Sequence, residues 1–233
     1  MRIDIITLFP EMFKGPFEES ILKRAQNKKL LAIKIHNLRK WADNERSTVD
    51  DRPFGGGVGM ILMIKPIYQA LKDLKKPNSK VILLSPKGQV FKQKIAKKLA
   101  QESHLIFIAG HYEDIDQRVR EHLIDEEISI GDYILTGGEL PTMVVTDAVA
   151  RLIPGVLKKP EATTNESFSH SPLSIIHSPL LEYPQYTRPA NFKGWKVSEV
   201  LLSGDHQKIA EWREKKALEV TKKKRPDLLK RVV

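Results

Sequence analysis

Along the first two-thirds of the chain, β-prone runs alternate with amphipathic helical stretches, and few architectures accept that order. "IDIITLF" reads as a strand. "FEESILKRAQNKKL" reads as a helix with Ile21, Leu22 and Ala25 on one face. "LLAIKIHNL" alternates like a strand, and "KPIYQALKDLKK" returns to helical spacing. Then follow "KVILLSP", the helical "VFKQKIAKKLAQE", "HLIFIAGHYE", the helical "IDQRVREHLI" and "EEISIGDY". Strands separated by helical crossovers pair in parallel, so the pattern predicts an α/β domain built on a mostly parallel sheet.

Three of these strands run into loops of unusual chemistry: "VILLSPKG", "LIFIAGHYED" and "EISIGDYILTGGELP". In open α/β sheets ligands sit beyond the carboxyl ends of strands, so the three loops are expected to form one pocket. Gly88, Gly110, Gly131, Gly137 and Gly138 are expected to let the backbone approach a ligand there, as an adenine edge would need. For any single loop an ordinary turn is the better explanation of the glycine, and only the three together favour a pocket. The run "DDRPFGGGVGM" follows no apolar strand. It reads as a loop that closes over a substrate, as an anion nest or as plain flexible chain.

After "PTMVVTDAVARLIP", a helix with Pro141 in its first turn, residues 154–190 are rich in Pro, Ser and Thr and show no periodicity. "HQKIAEWREKKALEVTKKK" is again helical, with Asp205 as its expected N-cap. The expected organisation is an α/β domain over 1–160, a linker over 161–190 and a small basic helical domain over 191–233. Net charge is +10. From Thr187 to Val233 there are 13 Lys and Arg against 6 Asp and Glu, so 13 − 6 = +7 falls in this last part. Such concentration suits a polyanion, nucleic acid above all, and also suits a solvated helix face.

Several classes are excluded. No G-x-G-x-x-G follows a strand, and no G-x-x-x-x-G-K-[ST] occurs. Cysteine is absent, which removes disulfides, thiolate metal sites and a cysteine nucleophile. No apolar run is long enough to span a membrane, and "MRIDIITLFPEMF" is broken too early by Pro10 and Glu11 for a secretory signal, so a cytoplasmic location is expected. His170 and His177, seven apart, have no familiar metal spacing. Trp41, Trp195 and Trp212 suit base stacking or packing.

"TVDDRPFGGGVGM", "LLSPKG", "GHYEDID", "SIGDYILTGGELP", "VARLIPGVL" and "EYPQYTRP" occur in this order, and together they resemble the bacterial tRNA (guanine-N1-)-methyltransferases. The resemblance runs from "ITLFPEMF" to "KRPDLL". It implies a SPOUT fold, in which the α/β domain ends in a trefoil knot and is followed by a small helical domain. It implies S-adenosylmethionine as methyl donor, tRNA as substrate, and a homodimer whose active sites are shared between subunits. Dependence on Mg²⁺ is implied as well, although no ligand cluster in the sequence announces a metal site.

Position by position, the implied donor site is Leu84, Ser85, Pro86, Gly110, Tyr112, Glu113, Ile130, Gly131, Asp132, Tyr133, Ile134, Leu135, Gly137, Gly138 and Pro141. The implied catalytic groups are Arg151, in "VARLIPG", and Glu166, in "TTNESF". Glu166 stands where the family places an Asp as general base. His111 stands where the family usually has Arg, Asp114 where it has Gly, and "SHSPLSIIHSPL" is inserted in the linker. The expected reaction is methyl transfer to N1 of the guanine immediately 3′ of the anticodon. A SPOUT methyltransferase acting on another RNA nucleotide and a non-catalytic RNA-binding module are the alternatives.

Overall fold

The structure, a computed structural model, describes residues 1–163, 166–168 and 179–229. The chain divides into two compact units, Met1–Lys158 and Lys159–Val233.

In the first unit the elements run β1 (Arg2–Thr7), α1 (Ser20–Asn27), β2 (Ala32–Asn37), β3 (Asp50–Asp51), β4 (Ile61–Leu62), α2 (Ile64–Leu74) and β5 (Ser79–Val90). Then come α3 (Gln93–Leu99), β6 (His104–Ala109), β7 (Asp114–Ile115), α4 (Gln117–His122), β8 (Glu126–Ser129) and α5 (Glu139–Ala150). Five strands pair in parallel in the order β2-β1-β6-β5-β8. They are the five that the alternation predicts.

A parallel sheet must be covered on both faces, and the pleat of β1 shows how this is done. Ile3 and Ile5 point into one core with Ile82, Leu84, Leu105 and Phe107, under α1, α3 and α5. Ile6 points into the opposite core with Val81, Leu83, Ile106 and Ile108, under α2 and α4. Asp4 shares that second face and is fully buried. Nε2–H groups of His36 and His104 lie 2.6 Å from its two oxygens, and the Arg2 guanidinium reaches it at 2.5 Å. Burial alone would raise the Asp4 pKa, but hydrogen bonds from His36, Arg2 and His104 outweigh it and hold the carboxyl well below the usual range.

One loop expectation is sharpened and one strand end is revised. The glycine-rich run is the connection of a hairpin, because β3 pairs antiparallel with β4 and β4 pairs parallel with β7. And β5 does not end at "SPKG": Leu84 and Gln89 both align with Ile128 of β8, so residues 85–88 loop outward and the strand resumes. Gly88 permits the return, since a Cβ there would lie 2.5 Å from the Glu127 carbonyl carbon.

The second unit contains the hairpin β9 (Asn191–Phe192) and β10 (Trp195–Lys196), then α6 (Glu199–Leu202) and α7 (His206–Lys224). Asp205 caps α7, accepting from the Lys208 N–H at 3.1 Å. Segments upstream fold against this helix. The Leu181 N–H donates to the buried Thr221 hydroxyl at 2.8 Å, Arg213 lies over the Tyr183 ring, and Tyr186 meets Trp212. Among the described residues no helix is long and apolar enough to cross a membrane.

Candidate active site

The ends of β5, β6 and β8 lie side by side at the carboxyl edge of the sheet, and their loops enclose one cleft. Leu84, Ser85 and Pro86 reach it from the β5 excursion, and Gly110, Tyr112 and Glu113 from the turn after β6. Ile130, Gly131, Tyr133, Ile134, Leu135, Gly137 and Gly138 follow β8, and Pro141 comes from the first turn of α5. The donor-site set from the sequence is thus brought to one place, except that Asp132 is exposed and does not line the cleft. Tyr133, Ile134 and Leu135 present exposed apolar surface at the rim.

The chain itself crowds most of the glycines around the cleft. A Cβ on Gly138 would lie 2.7 Å from the Gly110 nitrogen and 2.9 Å from Ala109 Cα, so the chain itself occupies that space. The Gly138 N–H donates to the Gly110 carbonyl at 2.6 Å, and His111 bridges to Gly137. A Cβ on Gly137 would strike the His111 ring and the Glu139 carboxylate, and one on Gly131, at φ +150°, would strike the Tyr133 ring. Only at Gly110 would a Cβ meet nothing closer than 3.4 Å. At Gly137 and Gly138 a neighbouring loop takes the space a Cβ would need, at Gly88 strand β8 does, and at Gly131 the Tyr133 ring of the same loop does.

Glu139 fixes this crossing. It is buried at the start of α5, where it accepts from the Thr7 hydroxyl at 2.8 Å and faces His111 Nδ1 at 3.4 Å. The end of β1, the turn after β6 and the first turn of α5 are tied through one carboxylate.

A second ion cluster underlies the cleft. Arg120 lies 2.5 Å from Asp114 and 2.9 Å from Glu127, and donates to the Ile115 carbonyl at 2.9 Å. Lys87, from the β5 excursion, meets the other Asp114 oxygen at 2.7 Å. Burial acts to raise the Asp114 pKa, but hydrogen bonds from Lys87, Arg120 and the Ile115 N–H prevail and lower it. The carboxylate stays ionised and joins the loops after β5 and β6 to α4 and β8. Sequence spacing missed this cluster. The i,i+4 rule pairs Asp116 with Arg120, but Asp116 caps α4 and pairs with Arg118 instead.

Arg151 caps the far end of α5. Pro141, in the first turn of that helix, lines the cleft, so at about 1.5 Å per residue the Arg151 backbone stands roughly 15 Å along α5 from that residue. Glu166 belongs to the second unit. Its neighbours are held there: the Phe168 N–H donates to the Leu180 carbonyl at 2.8 Å, and the Glu182 N–H to the Ser167 hydroxyl at 3.0 Å. His170 and His177, with most of the linker insertion, lie outside the described residues. Among the described residues no group of three His, Asp or Glu side chains converges as a metal site.

A family model described as "tRNA (Guanine-1)-methyltransferase TrmD" matches residues 1–231. A "tRNA (guanine-N(1)-)-methyltransferase" of Dictyoglomus turgidum is 54% identical over 231 residues, covering 99% of this chain and 91% of the relative. The protein of the same name from Carboxydothermus hydrogenoformans is 54% identical over 230 residues, covering 99% of this chain and 88% of its own. That of Geobacillus kaustophilus is 54% identical over 231 residues, covering 98% and 91%. A match over nearly the full length, with the strand-end loops assembled into one cleft, places the chain plainly: it belongs to the TrmD family of tRNA (guanine-N1)-methyltransferases.

Proposed function

We propose that this chain transfers the methyl group of S-adenosylmethionine to N1 of the guanine immediately 3′ of the anticodon in tRNA, in the cytoplasm. One observation carries the reading: three consecutive strand-end loops close on one cleft in a chain that belongs to this family. The cleft suits the donor. Leu84, Ile130 and Leu135 offer apolar walls, and the exposed rim residues Tyr133 and Ile134 gain cover from a ligand with an apolar face. The trefoil knot is part of this reading on the strength of the family alone.

When bound, the donor supplies an electrophilic methyl group on a sulfonium. The protein's residues prepare the nucleophile. Guanine N1 carries a proton, and the Glu166 carboxylate accepts it. Negative charge then develops on O6, where the Arg151 guanidinium stabilises it. Arg151 stands at the opposite end of α5 from the cleft of its own chain, so the arginine serving a given cleft comes from a second copy. Leu140 and Val144 are exposed and share one face of α5 with Arg151 at helical spacing. An apolar stripe ending in that arginine suits a homodimer in which two α5 helices pack together. The basic second unit binds the tRNA phosphates, so affinity declines steeply with salt.

The test is methyl transfer from labelled donor to tRNA transcripts with guanine or adenine at the position 3′ of the anticodon. Label in the guanine transcript alone, mapped to N1 of that base, is expected. Label at another nucleotide, or tight tRNA binding without donor binding, overturns the reading.

A further inference from the structure

The hairpin β9–β10 in the second unit is the most exposed aromatic feature of that unit. Residues 185–196 are all exposed, an unbroken stretch that carries Tyr186, Phe192 and Trp195. Trp195 is 74% exposed and Phe192 53%. The two residues pair directly across the strands, their ring centroids are 6.0 Å apart, and both rings therefore stand on one face. The turn between them, Lys193 at φ +51° and Gly194 at φ +86°, has the left-handed pair that suits a tight hairpin. The Asn191 side chain accepts from the Gly194 N–H at 3.0 Å and fixes it further. Local geometry sets this face, so it is presented ready-made.

The other tryptophans are already engaged. Trp41 donates to Asp73 at 2.6 Å, and Trp212 packs with Tyr186. Charge around the hairpin is of one sign. From Tyr183 to Ser198 there is no Asp or Glu, while Arg188, Lys193 and Lys196 are present. Lys193 lies 5.7 Å from the Phe192 ring centre. Among the described residues, these three cations form no ion pair. A second copy of a chain with net charge +10 is a poor match for such a face. An unstacked nucleotide is a good one, because its base has a π-face for the rings and its phosphates meet the cations.

We propose that the Phe192–Trp195 face, flanked by Arg188, Lys193 and Lys196, stacks an unpaired base of the tRNA substrate. The proposal rests on the reading that this chain binds tRNA and adds the residues that hold a nucleotide away from the methyl-transfer cleft. It concerns binding alone.

The test is direct titration of the full-length protein with unmodified tRNA, read by tryptophan fluorescence and by filter retention, so that methyl transfer is not needed. Trp195→Ala is expected to weaken tRNA binding about 10-fold, the loss of one base stack, and Trp195→Phe to restore most of it. The wild type is expected to lose fluorescence on titration, and Trp195→Phe to lose much less. Donor affinity and the turnover rate at saturating tRNA stay unchanged in both variants. A change of less than twofold in tRNA affinity overturns the proposal. So does a change in oligomeric state by light scattering with tRNA affinity unaltered, which assigns the face to a second copy, or a parallel fall in donor affinity, which makes the role structural. Failure of the wild type to methylate any tRNA would sink the function reading and leave the binding result standing.

Discussion

The cleft of the first unit and the hairpin of the second handle close approach and charge in opposite ways. At the cleft of the first unit, glycines are filled in by the chain itself and cations are consumed internally. Gly138 touches the backbone of residues 109–110, and Asp114 holds both Arg120 and Lys87, with Arg120 held by Glu127 as well. At the hairpin of the second unit, Gly194 faces open space and Arg188, Lys193 and Lys196 sit among residues without an acid. A count of glycines or of net charge treats the two regions alike. At the cleft these residues hold loops together, and at the hairpin they face outward with no acid in the flanking sequence.

The largest expected effect tests whether the two units contribute separable parts of one reaction. Glu166→Gln keeps the side chain's size and removes its basicity. We expect single-turnover methyl transfer to fall by roughly 10² to 10⁴, with donor affinity by calorimetry intact. Leu135→Asp, at the exposed rim of the cleft, should do the reverse and abolish donor binding with little change in stability. If Glu166 serves the cleft of the other subunit, mixing these two inactive variants restores measurable activity. A Glu166→Gln enzyme within about threefold of wild type would assign the proton transfer to another group.

Next in size is the internal charge cluster. Arg120→Met leaves Asp114 and Glu127 facing each other, half-buried, without their shared cation. Lys87 still meets Asp114 and both carboxylates keep some solvent, so the loss should fall below that of a fully buried pair, at about 1.5–3 kcal/mol, to be read from urea unfolding. Lys193→Met, on the hairpin, should cost less than about 0.5 kcal/mol, as surface changes usually do. Equal losses from the two variants would break the contrast between the units.

Much of the first unit was legible in the sequence, for definite reasons. Period-2 and period-3.6 patterns announced all five central strands, and glycine-bearing strand ends announced the cleft. Strand order was not legible. That β6 lies between β1 and β5 depends on pairing between residues a hundred positions apart, such as Arg2 with His104. The excursion at residues 85–88 was hidden because Gly88 reads as a turn glycine whether or not a strand resumes after it. The Arg120–Asp114 pair was not legible because it ties α4 to a residue ahead of that helix, a contact that no helical periodicity marks. In the second unit, Trp195 could not be told from Trp41 or Trp212 until their surroundings were known. Glu166 and Arg151 came from resemblance alone, since no local pattern marks either.

The glycine contrast gives a smaller effect with a sharper readout. Gly138→Ala forces a methyl against the backbone of Ala109 and Gly110, neither of which can swing aside as a side chain would. Overpacking of this kind costs about 1–3 kcal/mol, occasionally more. Gly194→Ala meets nothing within 4 Å and pays only for its positive φ, about 1–2 kcal/mol. The two are distinguished by donor binding. Gly138→Ala should weaken it, because the cleft loops part, whereas Gly194→Ala should leave it unchanged. Intact donor affinity in Gly138→Ala would mean that the loop crossing is not what shapes the cleft.

The smallest expected effect lies at Asp4, the buried carboxylate of β1. The Asp4 pKa is lowered in the folded chain, since hydrogen bonds from His36, Arg2 and His104 outweigh the burial that opposes them. An unfolded aspartate titrates near about 3.9. Above that value both states are ionised and the contribution of Asp4 to stability is fully present. As pH falls below it, the unfolded chain takes up a proton that the folded chain still refuses, so stability declines, by at most about 1.4 kcal/mol per pH unit for this one group. Asp114, also lowered, adds in the same direction. Unfolding free energies between about pH 6 and pH 3 should therefore slope downward below about pH 4. Asp4→Asn should start from a lower stability, because a charged acceptor of three donors is lost, and should show a shallower slope over that interval. Parallel slopes in wild type and Asp4→Asn would mean that the acid sensitivity of the first unit arises elsewhere, with the Asp114 cluster the next group to vary.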